Sequence, residues 1–375
     1  MGFEIVKNLN DLKLKNDGYS EINSLVENKL KSAKANEDVE IFSKIVWGKD
    51  ISKYDGKKVD RVIENVKTLA GMAQEGDNQA KAEINAVVTV TLQQPLIQRL
   101  NLLKFLGNAK TVGYNDELRY EYYQVQGEMS RTQASSGAFP FATAKKRTGV
   151  LDTKTVTGGV IIDYRELSSG AIDGLSNIAD QVVSDMTNKL VADCISGLAS
   201  AVQSSSAMKN YEAGITKTNV ANVLKKVHKF AENVTILGDY DALDALGEIA
   251  SFQVSTSPDS VRFSEAVMEE IRNSGLIKTY KGNIVVKIPN AYNLTQLNSE
   301  GDFYKPYLPT TDLWFVPQGV VAPLAIVYRG GLMSMTSIDI NTRGEVTRYD
   351  LEYGYKVINE YVPFLGYIYD ASLAE

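Results

Sequence analysis

The stretch Ile178-Ala-Asp-Gln-Val-Val-Ser-Asp-Met-Thr-Asn-Lys-Leu-Val-Ala-Asp-Cys-Ile-Ser-Gly-Leu-Ala-Ser-Ala-Val202 sets the frame for the rest of the chain. Ile178, Val182, Met186, Leu190, Cys194, Leu198 and Val202 recur at every fourth position, the spacing of neighbours along one side of an α-helix. Each step of four advances the stripe by about 40°, so over roughly 36 Å of axis it sweeps through about 240°. A helix with such a stripe meets partners on several sides. Cys194 belongs to the stripe and reads as a small buried hydrophobe rather than a reactive thiol.

Upstream of this helix, Leu118, Tyr120 and Tyr122 alternate with Arg119 and Glu121, the period of a half-buried strand. Its expected partner is Val150 to Tyr164, rich in β-branched residues. Gln126 to Gly149 lies between them, mostly Ser, Thr, Gly, Ala and Gln around Phe139-Pro140-Phe141. A structureless connection of that length is unusual inside a compact domain, so the segment is expected to project as an arm. From Met129 to Thr148 it carries Arg131, Lys145, Lys146 and Arg147 and no acid, a positive tip on a chain of net charge −6.

Downstream, a helix at 218–233, a strand at 234–238, helices at 240–251 and 262–274 and a strand at 283–288 predict an α+β domain. Strands at 312–316 and 324–328 follow. Tyr349, Leu351, Tyr353, Tyr355 and Val357 then alternate with Arg348, Asp350, Glu352 and Lys356. With Ser337 to Ile340 opposite and the turn Thr342-Arg-Gly-Glu, they predict an antiparallel hairpin with one buried face. At the other end, residues 1 to 60 hold eleven acids and eleven bases with few apolar positions, so this region is expected to be peripheral and solvated. Val59, Val62, Ile63, Val66 and Leu69 predict a second amphipathic helix that ends near Gly71 to Gly76.

The 375 residues, 44% hydrophobic and 23% charged, have the composition of an ordinary folded protein. One histidine and one cysteine remove the His and Cys sets that hold zinc and leave no internal disulfide. No phosphate-binding loop, dinucleotide fingerprint or Gly-x-Ser-x-Gly elbow occurs. His228 neighbours three lysines on a helix and reads as a solvated residue. Asp239, Asp241 and Asp244 lack the spacing of a calcium loop and read as a helix start with an Asp cap. No metal and no cofactor is expected. The acidic excess argues against groove-reading DNA recognition. The amino terminus lacks the pattern of an export signal, and the longest apolar stretch, Gly319 to Tyr328, is about half of what a membrane helix needs. Neither export nor a membrane is therefore expected.

The order of these parts is charged amino-terminal region, hairpin with a polar arm, long helix, α+β domain and returning antiparallel strands. It resembles the major capsid protein of tailed bacteriophages, with the Hong Kong ninety-seven phage fold that encapsulin shells share. The resemblance covers roughly Asp77 to Glu375, including the strand-turn-strand Gly275-Leu-Ile-Lys-Thr-Tyr-Lys-Gly-Asn-Ile-Val-Val-Lys-Ile-Pro-Asn. It implies an extended loop at 118–164, a peripheral domain at 165–214 and 326–375 built on the spine helix, and an axial domain at 215–325. Residues 77–117 would be the amino-terminal arm. Residues 1–76 are longer than the family's usual start and would form a retained, scaffold-like extension.

The resemblance further implies a structural, non-enzymatic subunit of an icosahedral virion, made in the host cytoplasm. It would assemble with itself as hexamers and pentamers, together with portal and scaffold proteins and with room for a decoration protein, around double-stranded DNA. An encapsulin-like compartment holding a cargo enzyme is the competing reading, and an unrecognised soluble enzyme a third. Arg131, Lys145, Lys146 and Arg147 are expected to meet acidic surface on an adjacent subunit, with Phe139 and Phe141 as anchors. Some family members join subunits through a Lys–Asn isopeptide bond, for which Lys145 or Lys146 with Asn341 or Asn359 would be the candidates.

Overall fold

A computed structural model describes residues 37–100, 103–126, 143–161, 164–170, 173–204, 210–250, 276–319, 323–338 and 345–374. Helices α1 (Glu37–Val46), α2 (Gly56–Gln74) and α3 (Asn78–Leu100) come first. Strands β1 (Gly107–Val112), β2 (Arg119–Gln126), β3 (Thr143–Val150) and β4 (Lys154–Ile161) precede α4 (Tyr164–Ser169) and the long α5 (Asp173–Ser204). Next are β5 (Tyr211–Ala213), α6 (Lys217–Val227), β6 (Val234–Gly238), α7 (Tyr240–Ala250), β7 (Thr279–Tyr280) and β8 (Asn283–Lys287). The chain continues through β9 (Tyr292–Leu297), β10 (Tyr304–Pro306), β11 (Asp312–Pro317), β12 (Leu324–Ile338), β13 (Glu345–Val357) and β14 (Gly366–Tyr369). The helix expected at 262–274 and the turn at Thr342 lie outside the described residues.

The chain divides into two compact units. The first comprises Met1–Asn101, Thr153–Thr187 and Tyr328–Tyr353. At its centre the middle of α3, residues 82–92, is buried on all sides, with Ala82, Ala86, Val87, Val90 and Leu92 hidden together with Asn85, Thr89 and Thr91. Its threonines are tolerated in a helix because they bond back to it, Thr89 Oγ1 to the Asn85 carbonyl at 2.6 Å and Thr91 Oγ1 to that of Val87 at 2.9 Å. From the helical side Trp47 Nε1 donates to the Thr91 carbonyl at 3.0 Å, and towards the sheet Asn85 Nδ2 donates to Thr336 Oγ1 on β12 at 2.9 Å.

The expectation of a peripheral region up to residue 60 fails for α1, which buries Val39, Ile41, Phe42 and Val46. Its charges face outward and are paired: Glu40 with Lys44 at 2.9 Å, and Glu37 with Lys58. Hydrogen bonds from Tyr54 and Lys44 hold the Glu40 carboxyl down at about 2.

Two sheet strands dominate the rest of this unit. β13 runs antiparallel to β4 from Val346 opposite Ile161 to Tyr353 opposite Lys154. Within this unit β13 lies between β12 and β4. Tyr349, Leu351 and Tyr353 are buried as the alternation predicts, and Thr347 on the same face with them, but Asp350 on the supposed solvent face is buried too. Asp350 is tolerated there because Thr157 Oγ1 and Arg348 Nε donate to its carboxylate at 2.7 and 2.8 Å.

Helix α5 extends the predicted stripe at both ends, to 32 residues or about 48 Å. Ala179, Val183 and Met186 are buried in the first unit, where Met186 and Val182 lie against Gly158 of β4. Leu190, Cys194, Leu198 and Val202 are buried in the second.

The second unit is Leu102–Asp152, Asn188–Val327 and Gly354–Glu375. Its six-stranded mixed sheet has the order β5-β14-β11-β6-β8-β7. Val220, Val223 and Val227 of α6 and Leu243 and Leu246 of α7 pack on Ile236, Leu313 and Phe315. On the other face of β11, Trp314 lies against Tyr367, ring centroids 4.3 Å apart. Tyr367 Oη donates to Asp312 at 2.9 Å and accepts from Gln203 of α5 at 3.4 Å. With both faces covered, β11 reads as the continuous apolar run Leu-Trp-Phe-Val.

Helix α6 stops at Val227 rather than 233, with His228 at its end and exposed. Asp239 does precede α7, but its carboxylate accepts from Asn290 Nδ2 at 3.0 Å, and only its backbone carbonyl takes part in the helix start, accepting from Leu243 N. Cys194 is buried. Among the described residues no helix is long and apolar enough to cross a membrane, and no group of His, Cys, Asp and Glu is placed to hold a metal ion.

Candidate assembly surface

The sequence pairs Leu118–Tyr123 with the β-branched stretch after Val150, and the register corrects this. β2 pairs with β3, from Arg119 opposite Val150 to Gln126 opposite Thr143, whereas β4 pairs with β13. The strand Thr143–Val150 was not legible because its side chains, Lys145-Lys146-Arg147-Thr148 among them, are almost all exposed. With no buried face there is no alternation to read.

The β2–β3 ribbon forms a two-stranded sheet of its own within the second unit. Its root is closed by the Leu151 N–H donating to the Leu118 carbonyl at 2.8 Å, above a small cluster of Leu118, Leu151 and Val327. Tyr120 and Tyr122 stack 6.2 Å apart, and Tyr122 meets the edge of Tyr361 at 6.0 Å. The Tyr361 hydroxyl donates to the Tyr123 carbonyl at 2.6 Å and accepts from the Tyr123 N–H at 3.2 Å. Tyr122 Oη donates to Glu360 at 3.2 Å, and desolvation followed by that carboxylate pushes the Tyr122 phenol up. Glu360 and Tyr361 were not singled out from the sequence. Only the Tyr120 and Tyr122 alternation hinted at the anchoring face.

The opposite face is open. Tyr123 and Val150 are both well exposed. Between them Lys146 Nζ pairs with Glu121 at 2.7 Å, a contact that lowers the Glu121 carboxyl and raises the Lys146 ammonium. On the Tyr122 face Arg147 Nε donates to Gln124 at 3.3 Å, and Lys145 is exposed. Lys145, Lys146 and Arg147 thus lie on the stem of the arm rather than at its tip, and Lys146 already has its acid at home. A lysine kept protonated in this way is the opposite of a nucleophile. Arg131, Phe139, Phe141 and Asn341 lie outside the described residues. This arrangement offers no catalytic constellation. It offers an exposed ribbon anchored at one end, and a two-stranded ribbon is marginally stable in water until something covers it.

Residues 18–369 match the family model described as "SPbeta prophage-derived putative capsid protein YonB". The chain belongs to this capsid protein family. The subunit is therefore a structural component of a phage shell, as the order of its parts implied. A search of curated proteins found no match. Among solved structures, the capsid of the cyanophage P-SCSP1u is similar at 12% identity and a TM-score of 0.44, covering 71% of this chain and 86% of that one. The virus-like particle from Pyrococcus furiosus is similar at 12% identity and 0.39, covering 74% and 97%. The SrpI encapsulin complex from Synechococcus elongatus is similar at 12% and 0.42, covering 72% and 86%.

Proposed function

We propose that this capsid protein is the major subunit of the head, arranged as hexamers and pentamers in an icosahedral shell around double-stranded DNA whose sequence it does not read. Membership of the capsid family over residues 18–369 carries this reading. The exposed β2–β3 ribbon supports it, because an arm that cannot bury its own surface must bury it on a neighbour, and one heterologous contact repeated around a closed symmetry builds rings and shells.

In this reading residues 118–164 are the extended loop, 165–214 and 326–375 the peripheral domain and 215–325 the axial domain. Residues 77–117 are the amino-terminal arm, and 1–76 a retained extension. Phe139 and Phe141 anchor the loop while Arg131, Lys145 and Arg147 meet acidic surface on the adjacent copy, and Lys146 stiffens the stem through Glu121. The role is structural rather than enzymatic, the place is the virion after synthesis in the host cytoplasm, and portal and scaffold proteins are the further partners.

Negative-stain electron microscopy of the chain, expressed alone and with its scaffold, tests this. Closed shells or ring-shaped capsomers are expected. A monomer of 41.2 kDa that never associates under either condition would contradict the reading. Alanine at Arg131, Lys145, Lys146 and Arg147 together should abolish assembly, and unchanged shells would sink the arm contact.

A further inference from the structure

The second unit carries another ribbon that lacks cover. β9 and β10 pair only with each other, with a bulge between Tyr304 and Lys305. On one face of the ribbon Leu294 and Phe303 are 72% and 54% exposed beside the half-exposed Tyr292, apolar surface of the kind that marks a protein contact. The ribbon is nevertheless well formed. Phe303 meets the edge of Tyr292 at 5.0 Å, and the Asn298 side chain caps the turn, accepting from the Gly301 N–H at 2.8 Å and donating to Asp302 at 2.8 Å. Gly301 takes the positive φ of 77° that this turn requires. The turn holds Glu300 and Asp302 at the ribbon end, and residues 292–303 include no base.

A surface of opposite character lies at the β7 edge of the six-stranded sheet. The tight β7–β8 turn places Lys281 and Gly282 at φ values of 49° and 81°, and Asn283 Nδ2 braces it by donating to the carbonyls of Tyr280 and Lys281. Beside the turn Ile284 is 60% exposed. Lys278 and Lys281 are exposed around it, and residues 276–288 hold three lysines and no acid. Neither surface covers the other within one copy, as these exposures require.

We infer that the β9–β10 ribbon docks on the β7–β8 turn of a second copy of this chain. Tyr292, Leu294 and Phe303 would cover Ile284, with Glu300 and Asp302 facing Lys278 and Lys281. Charge complementarity selects the occupant: the ribbon's turn presents Glu300 and Asp302, the β7–β8 turn presents Lys278 and Lys281, and both turns are present on every copy. Two different patches joined head to tail form a heterologous contact, which closes into a ring when the rotation allows. The inference rests on the shell reading above and names a contact within the shell.

The test is a charge swap read by sedimentation and electron microscopy, using the full chain under conditions where the unmodified chain assembles. Glu300→Lys with Asp302→Lys, and separately Lys278→Glu with Lys281→Glu, should each reduce the particle fraction at least tenfold. The chain with all four changes should regain particles, which a mere folding defect would not allow. Normal particles from both double variants, or no recovery in the fourfold chain, would overturn the contact and leave the shell reading intact. Failure of the shell reading is a different result: no particles from the unmodified chain.

Discussion

Asp312 and Asp370 lie in the same unit and bend stability in opposite directions with pH. Burial pushes the Asp312 carboxyl above its usual 3.8, against a smaller lowering by the hydroxyls of Tyr367 and Thr311. The folded chain then holds this proton more tightly than the unfolded chain does. Its contribution to stability is therefore largest below pH 3.8 and declines as pH rises through the folded value. Asp312→Asn keeps an acceptor for Tyr367 and removes the charge, so the fall of the urea midpoint over that window should flatten; an unaltered slope would contradict the account. The Ile215 N–H at 2.7 Å and Ser372 hold Asp370 below 3.8, so its contribution is present at neutral pH and lost on acidification. Asp370→Ala should cost about 1 kcal/mol at pH 7 by denaturant titration, with the difference shrinking in acid. Cys194 and His228 were legible in advance, because their helical neighbours set their surroundings. Asp312 was not, because its partner Tyr367 is 55 positions away.

The elements differ in how they hold together. Tyr361 ties the ribbon root through one hydroxyl that both donates to and accepts from Tyr123, so Tyr361→Phe should cost about 1–3 kcal/mol by leaving those backbone groups unmatched. Hydrogen exchange at the Tyr123 amide should accelerate while amides of the six-stranded sheet stay protected; equal protection would count against the anchoring role. In that sheet α6 approaches β14 so closely that a Cβ at Gly366 would run into Val223 and Val227. Gly366→Ala should lower stability by about 1–3 kcal/mol, and an unchanged thermal midpoint would refute this close approach.

Legibility at this scale follows burial. The amphipathic α2 and α6, the all-buried β6 and β11 and the alternating β13 were all readable. Helix α3 was not, because its middle, residues 82–92, is buried on every side and has no stripe, and its Val-Val-Thr-Val-Thr run favours strand by composition. β3 was missed for the converse reason, being exposed on both faces.

At the scale of the molecule, the sequence carried the order of parts, and that order was enough to point to a capsid protein before any contact was known. What it could not carry was the division into two units sharing α5, β12 and β13, because each of those elements is continuous in sequence and its neighbours come from distant segments. The surfaces proposed for assembly were legible only as surplus, in the form of polar, basic or apolar surface exposed on one copy. A cryo-electron microscopy map of the assembled particle tests the central claim most directly. The account predicts a closed shell in which the β2–β3 ribbon of each subunit lies along an adjacent subunit, with Tyr123 and Val150 buried. A shell in which the ribbon folds back on its own subunit, or stands free in solvent, would contradict it.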